Sequence, residues 1–237
     1  MSQRSINLVN IGNTHTSYAV AADGVIGPVA VCPTAEVRVE LFAPELPLAG
    51  ASVVPAAAAG LAVREPFWLT WRTCPFLRWD RVDPTTLGAD RIANALYLSR
   101  HCRLPAVCLD CGTAITMEAV DGNGFFCGGA ILPGRMLSRR ALHDYTAQLP
   151  LPEMSLALPE RGTDTLSAMR LGIDGGAIGA VTAILERIAG QWSDPVTLVA
   201  VGGDADFFVR HIPGLEYGGQ DFTLRGILMA WEEHHAR

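Results

Sequence analysis

Three glycine-rich turns, each directly after an apolar run, hold the residue types best suited to chemistry: Asn10-Ile-Gly-Asn-Thr14, Asp110-Cys-Gly-Thr113 and Val201-Gly-Gly-Asp204. Glycine at Gly12, Gly112, Gly202 and Gly203 lets backbone amides approach phosphate oxygens, because no Cβ stands in the way. The hydroxyls of Thr14 and Thr113 add donors, and a strand-end carboxylate such as Asp110 can hold a cation that bridges those oxygens. A further carboxylate, Asp90, stands before Arg91. By itself it reads either as the cap of a helix beginning at Arg91 or as a proton acceptor. Arg91 reads either as a surface ion-pair partner or as a planar fork for a substrate carboxylate. All 18 basic residues are arginine. That excludes a Walker A loop and lysine Schiff-base chemistry, and leaves phosphates to backbone amides, hydroxyls, arginine and metal.

The elements that must position these turns alternate between strand and helix, as in an α/β protein. Residues 6–11 and 15–20 read as a hairpin, as do 106–110 and 114–120, with shorter strands at 51–55, 67–70 and 196–201. Helices are expected at 91–100, at 164–191 with a cap at Asp164 or Thr163, and at 223–235. At a fixed offset of one hundred positions Gly12 matches Gly112, Thr16 matches Thr116, Ala19 matches Ala119 and Val20 matches Val120, and Asn10 stands where Asp110 stands. This internal repeat points to a duplicated lobe. The lobe boundary is expected near Arg103-Leu104-Pro105, giving lobes 1–103 and 104–237, with 149–160 a loop inside the second.

A 237-residue chain with 49% hydrophobic and 18% charged residues is globular in composition and long enough for two cores. A net charge of −6 argues against nucleic acid or an anionic membrane surface as partner. The first residues lack the apolar core of a secretory signal, and the most apolar stretch, 51–63, is too short to span a membrane and contains Pro55. The expectation is a cytoplasmic protein with its six cysteines reduced. Cys108 and Cys111 form a C-x-x-C, readable as a redox pair, as half a zinc site or as small apolar residues in a buried strand. A stripe of Gly172, Gly176, Gly179 and Ala183 suits close helix packing, within a lobe or between two copies of the chain.

The three turns resemble the shared core of the acetate and sugar kinase, actin and heat-shock ATPase superfamily. That resemblance implies an α/β chain of two ribonuclease-H-like lobes with a nucleotide cleft between them. A narrower resemblance rests on Leu87-Gly-Ala-Asp-Arg-Ile-Ala-Asn-Ala95, Asp110-Cys-Gly-Thr-Ala-Ile-Thr116, Gly128-Gly-Ala-Ile-Leu-Pro-Gly134 with Ser138 and Ala141-Leu142, Thr146-Ala-Gln-Leu-Pro150, and Gly162-Thr-Asp-Thr165. In order and spacing these are similar to the signature stretches of type III pantothenate kinases, including relatives named Bvg accessory factors. The resemblance implies ATP-dependent phosphorylation of pantothenate, the first step of coenzyme A synthesis, with Mg²⁺ and a monovalent cation, K⁺ or NH₄⁺, in a homodimer. It further implies Asp90 as the catalytic carboxylate, and pantothenate contacts at Gly88, Ala89, Asp90, Arg91, Thr165 and the position of Arg81. ATP contacts fall at Asn10, Gly12, Asn13, Thr14, Thr113, Gly202 and Gly203, and the monovalent cation at Asp110. Thr165 by itself reads equally as a helix cap. Two positions depart from the family: Asn10 replaces the Asp that opens the first turn, and Arg81 replaces a substrate-contacting Tyr. They leave open a nucleotide-binding paralogue without kinase chemistry, or a kinase for another small hydroxy acid.

Overall fold

The computed structural model describes residues 5–236. It divides into two compact units: one runs up to Cys102 and takes in Asn123–Cys127 and the chain from Gly219 on, and the other is Arg103–Gly122 with Gly128–Gly218. The first change of unit falls at 102/103. The C-terminal helix belongs with the first unit rather than with residues 104–218.

In the first unit, β1 (Ser5–Ile11) and β2 (His15–Ala22) form the expected hairpin, followed by β3 (Val25–Ile26) and β4 (Ala30–Pro33), both paired with β2. The chain continues through β5 (Leu48–Ser52), α1 (Pro55–Ala59) and β6 (Phe67–Trp68) to β7 (Arg78–Trp79) and α2 (Ala89–His101). The sheet order is β3-β2-β1-β5-β6, antiparallel across the hairpin and parallel from β1 to β5 and from β5 to β6. The strand expected at 51–55 lies three residues earlier, because Pro55 opens a helix instead of ending a strand. One side of the sheet closes over Val9, Ile11, Phe42, Leu48 and Leu61. The other takes α2, which buries Ile92, Ala93, Ala95, Leu96 and Leu98, and α7 (Phe222–His235), which packs on α2, β1 and β5. Each buried Ile or Leu contributes about 1.5–3 kcal/mol of transfer energy. Within that layer the Thr223 hydroxyl donates to Asn94 Oδ1 at 2.8 Å, so the polar groups are paired.

The second unit repeats the order. Its β8 (Ala106–Cys111), β9 (Ala114–Val120) and β10 (Phe125–Pro133) are followed by α3 (Arg135–Asp144), α4 (Thr165–Arg170), a π turn (Leu171–Gly175), α5 (Gly176–Ala189), β11 (Thr197–Val201), α6 (Ala205–His211) and β12 (Leu215–Tyr217). The strands run β10-β9-β8-β11-β12, with β8 and β11 parallel. Phe125 and Phe126, at the start of β10, pair with β7 and belong to the first unit. Val107, Leu109, Ile115, Met117, Val181, Leu185, Phe207 and Phe208 close the second core. Cys108 and Cys111 are buried three apart on one strand, where alternate residues face opposite sides, so they are core residues and not a redox pair.

The repeat is real up to the turn and slips by one residue beyond it. Asn10 pairs with Ser17, but Asp110 pairs with Thr116, because the first turn is one residue longer. The structural counterpart of Thr116 is therefore Ser17, and the matches of Thr16, Ala19 and Val20 at offset one hundred are not structural equivalences.

The helix expected over 164–191 is present with Asp164 at its cap, where Oδ1 accepts from Ser167 N at 3.0 Å, but the π turn interrupts it. This segment, and not 51–63, is the long apolar one: Thr165–Ala189 is long and apolar enough to cross a membrane by length and composition alone. Its Ile173, Val181 and Leu185 are buried within the unit, and 28% of its apolar window is buried in all.

Candidate active site

Each unit places its glycine-rich turns at the carboxyl ends of its central parallel strands, the position at which α/β sheets take ligands. In the first unit, Asn10 pairs with Ala51 of β5, and Val53 just beyond β5 donates its N–H to Ile11 O at 3.1 Å. Gly88 lies against Val53, since a Cβ there would come within 3.2 Å of Val53 Cγ1. The start of α2 therefore stands at the same sheet edge as the first turn, and brings Asp90 to it.

Gly88, not Asp90, is the cap of α2, and Asp90 is its second residue. Its Oδ1 accepts the Arg91 N–H at 2.8 Å. Burial raises the Asp90 carboxyl above the usual carboxylate range, against the lowering effect of that hydrogen bond and of the Arg91 charge. A half-buried carboxylate of raised basicity is suited to accept a proton. Ala89 is buried beneath it and Arg91 is half-buried beside it.

Gly12 turns the chain through a 3.1 Å bond from its N–H to His15 O, and leaves Asn13 and Thr14 exposed. Asn10 Oδ1 is buried and accepts no hydrogen bond from the described residues. An orphaned amide oxygen at a strand end next to exposed amides is a fit for a water on a phosphate-bound cation. Arg81 is 90% exposed, pairs with the adjacent Asp80 at 3.2 Å, and has φ at +52°, a left-handed conformation that costs a non-glycine residue about 1 kcal/mol or more.

In the second unit, Val201 pairs with Asp110, so the second and third turns are neighbours. Gly202 has φ at +89°, and a Cβ there would lie 2.7 Å from both Asp110 Oδ1 and Cys111 O. Only glycine allows the third turn to close on the Asp110 carboxylate. Asp204 N–H donates to Cys111 O at 3.1 Å, and Thr113 is exposed at the tip of its turn. Among the described residues no cluster of three or more His, Cys, Asp or Glu could hold a metal. The strand-end oxygens of Asp110 and Asn10 are of the hard, oxygen type that suits a cation which takes its other oxygens from a bound anion or water.

Thr165 is the first residue of α4 and lines an apolar cavity of about 830 Å³ between α3, α4 and α5, with Leu132, Leu137, Ser138 and Ala177. A Cβ added at Gly172, Gly176 or Gly179 would meet nothing within 4 Å, and Gly172 and Gly176 open into this cavity, across which α3 lies.

Sequence reasoning missed α3 and the two arginines it buries. Arg135 and Arg139 are 1% and 0% exposed, and both bond the buried Asp174 at 2.8 Å. Their spacing of four places them on one helix face, but a buried arginine is the exception among residue types, so composition points the wrong way.

A family model described as type III pantothenate kinase matches residues 7–187. A protein of Hyphomonas neptunium named type III pantothenate kinase is 39% identical over 153 residues, 64% of this chain and 59% of that one. Proteins of the same name from Phenylobacterium zucineum and Brevibacillus brevis are 36% and 35% identical over 66% and 65% of this chain and 62% and 60% of their own. The chain thus spans about six tenths of the length of these relatives. Among solved structures, a Baf family protein of Campylobacter jejuni aligns with 98% of this chain and 100% of its own at TM-score 0.70 and 19% identity. The activator of 2-hydroxyisocaproyl-CoA dehydratase from Clostridium difficile, solved with bound ADPNP, aligns with 98% of this chain and 96% of its own at TM-score 0.55 and 14% identity. At these identities the likeness concerns the fold alone, a mixed α/β fold with two sheets.

Proposed function

We propose, on the premise that this chain belongs to the type III pantothenate kinase family, that it transfers the γ-phosphate of ATP to the primary hydroxyl of pantothenate, the entry step of coenzyme A synthesis. The observation that carries the reading is the family match over residues 7–187, which takes in the first turn, the Asp90 helix start and the Asp110 turn together.

The chemistry asks little of the protein beyond positioning and charge. Asp90 takes the proton of the attacking hydroxyl, and Arg91 supplies a fork for the carboxylate of pantothenate, with Gly88 and Ala89 setting the start of that helix. Amides at Gly12, Asn13, Thr14, Thr113, Gly202 and Gly203 hold the phosphates. Asp110 would hold a monovalent cation and Asn10 a water of Mg²⁺. When bound, these cations neutralise charge that develops on the transferred phosphoryl group. Thr165 would meet the acceptor at a homodimer interface formed by the open, small-residue face of Thr165–Ala189, a state that sedimentation tests. The cytoplasm is the compartment that suits six free cysteines and ATP.

The test is a coupled ADP-release assay across a panel of hydroxy acids including pantothenate, with and without K⁺ or NH₄⁺. Turnover on pantothenate alone supports the reading, and turnover on a different acid moves the acceptor. A second reading, a nucleotide-binding paralogue without kinase chemistry, draws on Asn10 and on the exposed, self-paired Arg81. Saturable ATP binding with no turnover on any acid would favour it.

Asn10 gives a graded expectation. An amide in place of a carboxylate removes one negative charge where Mg²⁺ meets the phosphates, yet its orphaned oxygen still accepts from metal-bound water. Outer-shell changes of this kind cost about 10- to 100-fold in metal affinity or activity. The wild type should need high Mg²⁺, and Asn10→Asp should raise kcat/KM at low Mg²⁺. Superimposable Mg²⁺ profiles for the two proteins would count against a metal at this position.

A further inference from the structure

Four charged side chains of the second unit form a network that the proposed chemistry does not use directly. Asp174, fully buried in the π turn, accepts from Arg135 Nε through Oδ1 and from Arg139 Nη2 through Oδ2, both at 2.8 Å. Arg139 Nη1 returns a bond to Arg135 O at 3.1 Å. Arg135 also donates from Nη1 to Asp204 Oδ1 at 2.7 Å and from Nη2 to Ser155 O, and its guanidinium lies 3.3 Å over the Phe207 ring. Two arginines and two carboxylates balance in charge.

Stability alone is a poor reason for such a cluster. Apolar side chains of similar volume often serve a fold as well as a buried ion pair, because desolvation offsets the attraction. The position of the cluster supplies a better reason. Arg135 directly follows Gly134, whose N–H donates to Thr113 O at 3.0 Å in the second turn. The Arg135 side chain ends on Asp204, which closes the third turn and is 19% exposed, the one open member of the four. One residue thus touches both phosphate-facing turns of this unit, through its backbone neighbour and through its guanidinium.

We propose that Arg135 is a positioning residue for the nucleotide phosphates: through Asp204 it holds the Gly202-Gly203 turn in register with the Gly112-Thr113 turn, and Asp174 and Arg139 fix its own rotamer. The inference rests on the nucleotide reading given above. Arg135 is buried and does not touch the ligand itself.

The experiment is equilibrium binding of a non-hydrolysable ATP analogue to the wild-type chain, to Arg135→Met, to Asp204→Ala and to the double variant, with a thermal melt of each. Arg135→Met leaves Asp174 paired with Arg139 and lets a flexible thioether lie on Phe207, while Asp204, 19% exposed, loses its arginine; the double variant removes that unpaired carboxylate as well. Displacement of an aligned turn by about 1 Å can cost on the order of 10²-fold, so each single variant is expected to weaken binding by about tenfold or more. Because Arg135 acts through Asp204, the double variant should bind no more weakly than the worse single one. Binding of Arg135→Met within about twofold of wild type, or losses in the double variant that multiply, would overturn the proposal. If Arg135→Met melts without cooperativity, Asp204→Ala decides alone: unchanged affinity there also overturns it. A wild-type chain that does not bind the analogue removes the nucleotide reading itself, and this inference with it.

Discussion

Asp90→Asn should lower kcat by about 10²-fold or more while leaving ATP binding and the fold in place, because it removes the proposed proton acceptor and keeps size and shape. The amide oxygen can still take the Arg91 N–H that Oδ1 accepts at 2.8 Å, so the first turn of α2 stays satisfied. Burial raises the Asp90 carboxyl pKa in the folded chain. The folded state then holds that proton more tightly than the unfolded chain, so the ionised form costs stability as pH rises past the unfolded value and through the folded one. At neutral pH the Asn variant, which has no charge to bury, should melt no lower than the wild type, and slightly higher if anything. The same shift places the acid limb of the wild-type kcat/KM profile above the usual carboxylate range, since activity needs the deprotonated form. Asp90→Asn turnover at the wild-type rate would reduce Asp90 to a structural residue of the helix start.

Gly134→Ala is the second large effect expected, and it is steric. A Cβ at Gly134 would press on Gly112 O and lie 2.5 Å from Thr113 O, both backbone atoms of the second turn that have no rotamer to change. Removing a glycine ordinarily stabilises by about 0.4–1 kcal/mol through the unfolded chain. Forced overlap costs about 1–3 kcal/mol, so the overlap wins and the melting temperature falls. If the turn moves by about 1 Å to relieve the clash, kcat drops on the order of 10²-fold, more than the loss of stability would produce in a protein still folded at the assay temperature. Kinetics and melting measured on one preparation separate the two contributions. Full activity with a lowered melting temperature would show that the second turn does not hold phosphate.

Much of this was legible in the residues themselves. Apolar periodicity and turn chemistry located both hairpins, and glycine at Gly12, Gly112 and Gly202 marked the strand ends, because backbone conformation and close approach are local demands that a residue type answers alone. The Asp164 cap was legible for the same reason, since its partner Ser167 is three residues away. The slip in the repeat was not, because it depends on a hairpin register that pairing across the sheet decides. Nor was the membership of α7, whose apolar face can be read from its sequence while the unit it covers cannot. The Asp90 helix start reaches the first turn through Gly88 on Val53 and Val53 on Ile11, contacts between segments about 35 and 42 residues apart in sequence. The Arg135, Arg139, Asp174 and Asp204 network lay furthest from view. Its members are scattered over seventy residues, and charge is the property that predicts exposure. Only tertiary packing, by bringing opposite charges together away from water, made their burial tolerable and gave one arginine two turns to hold.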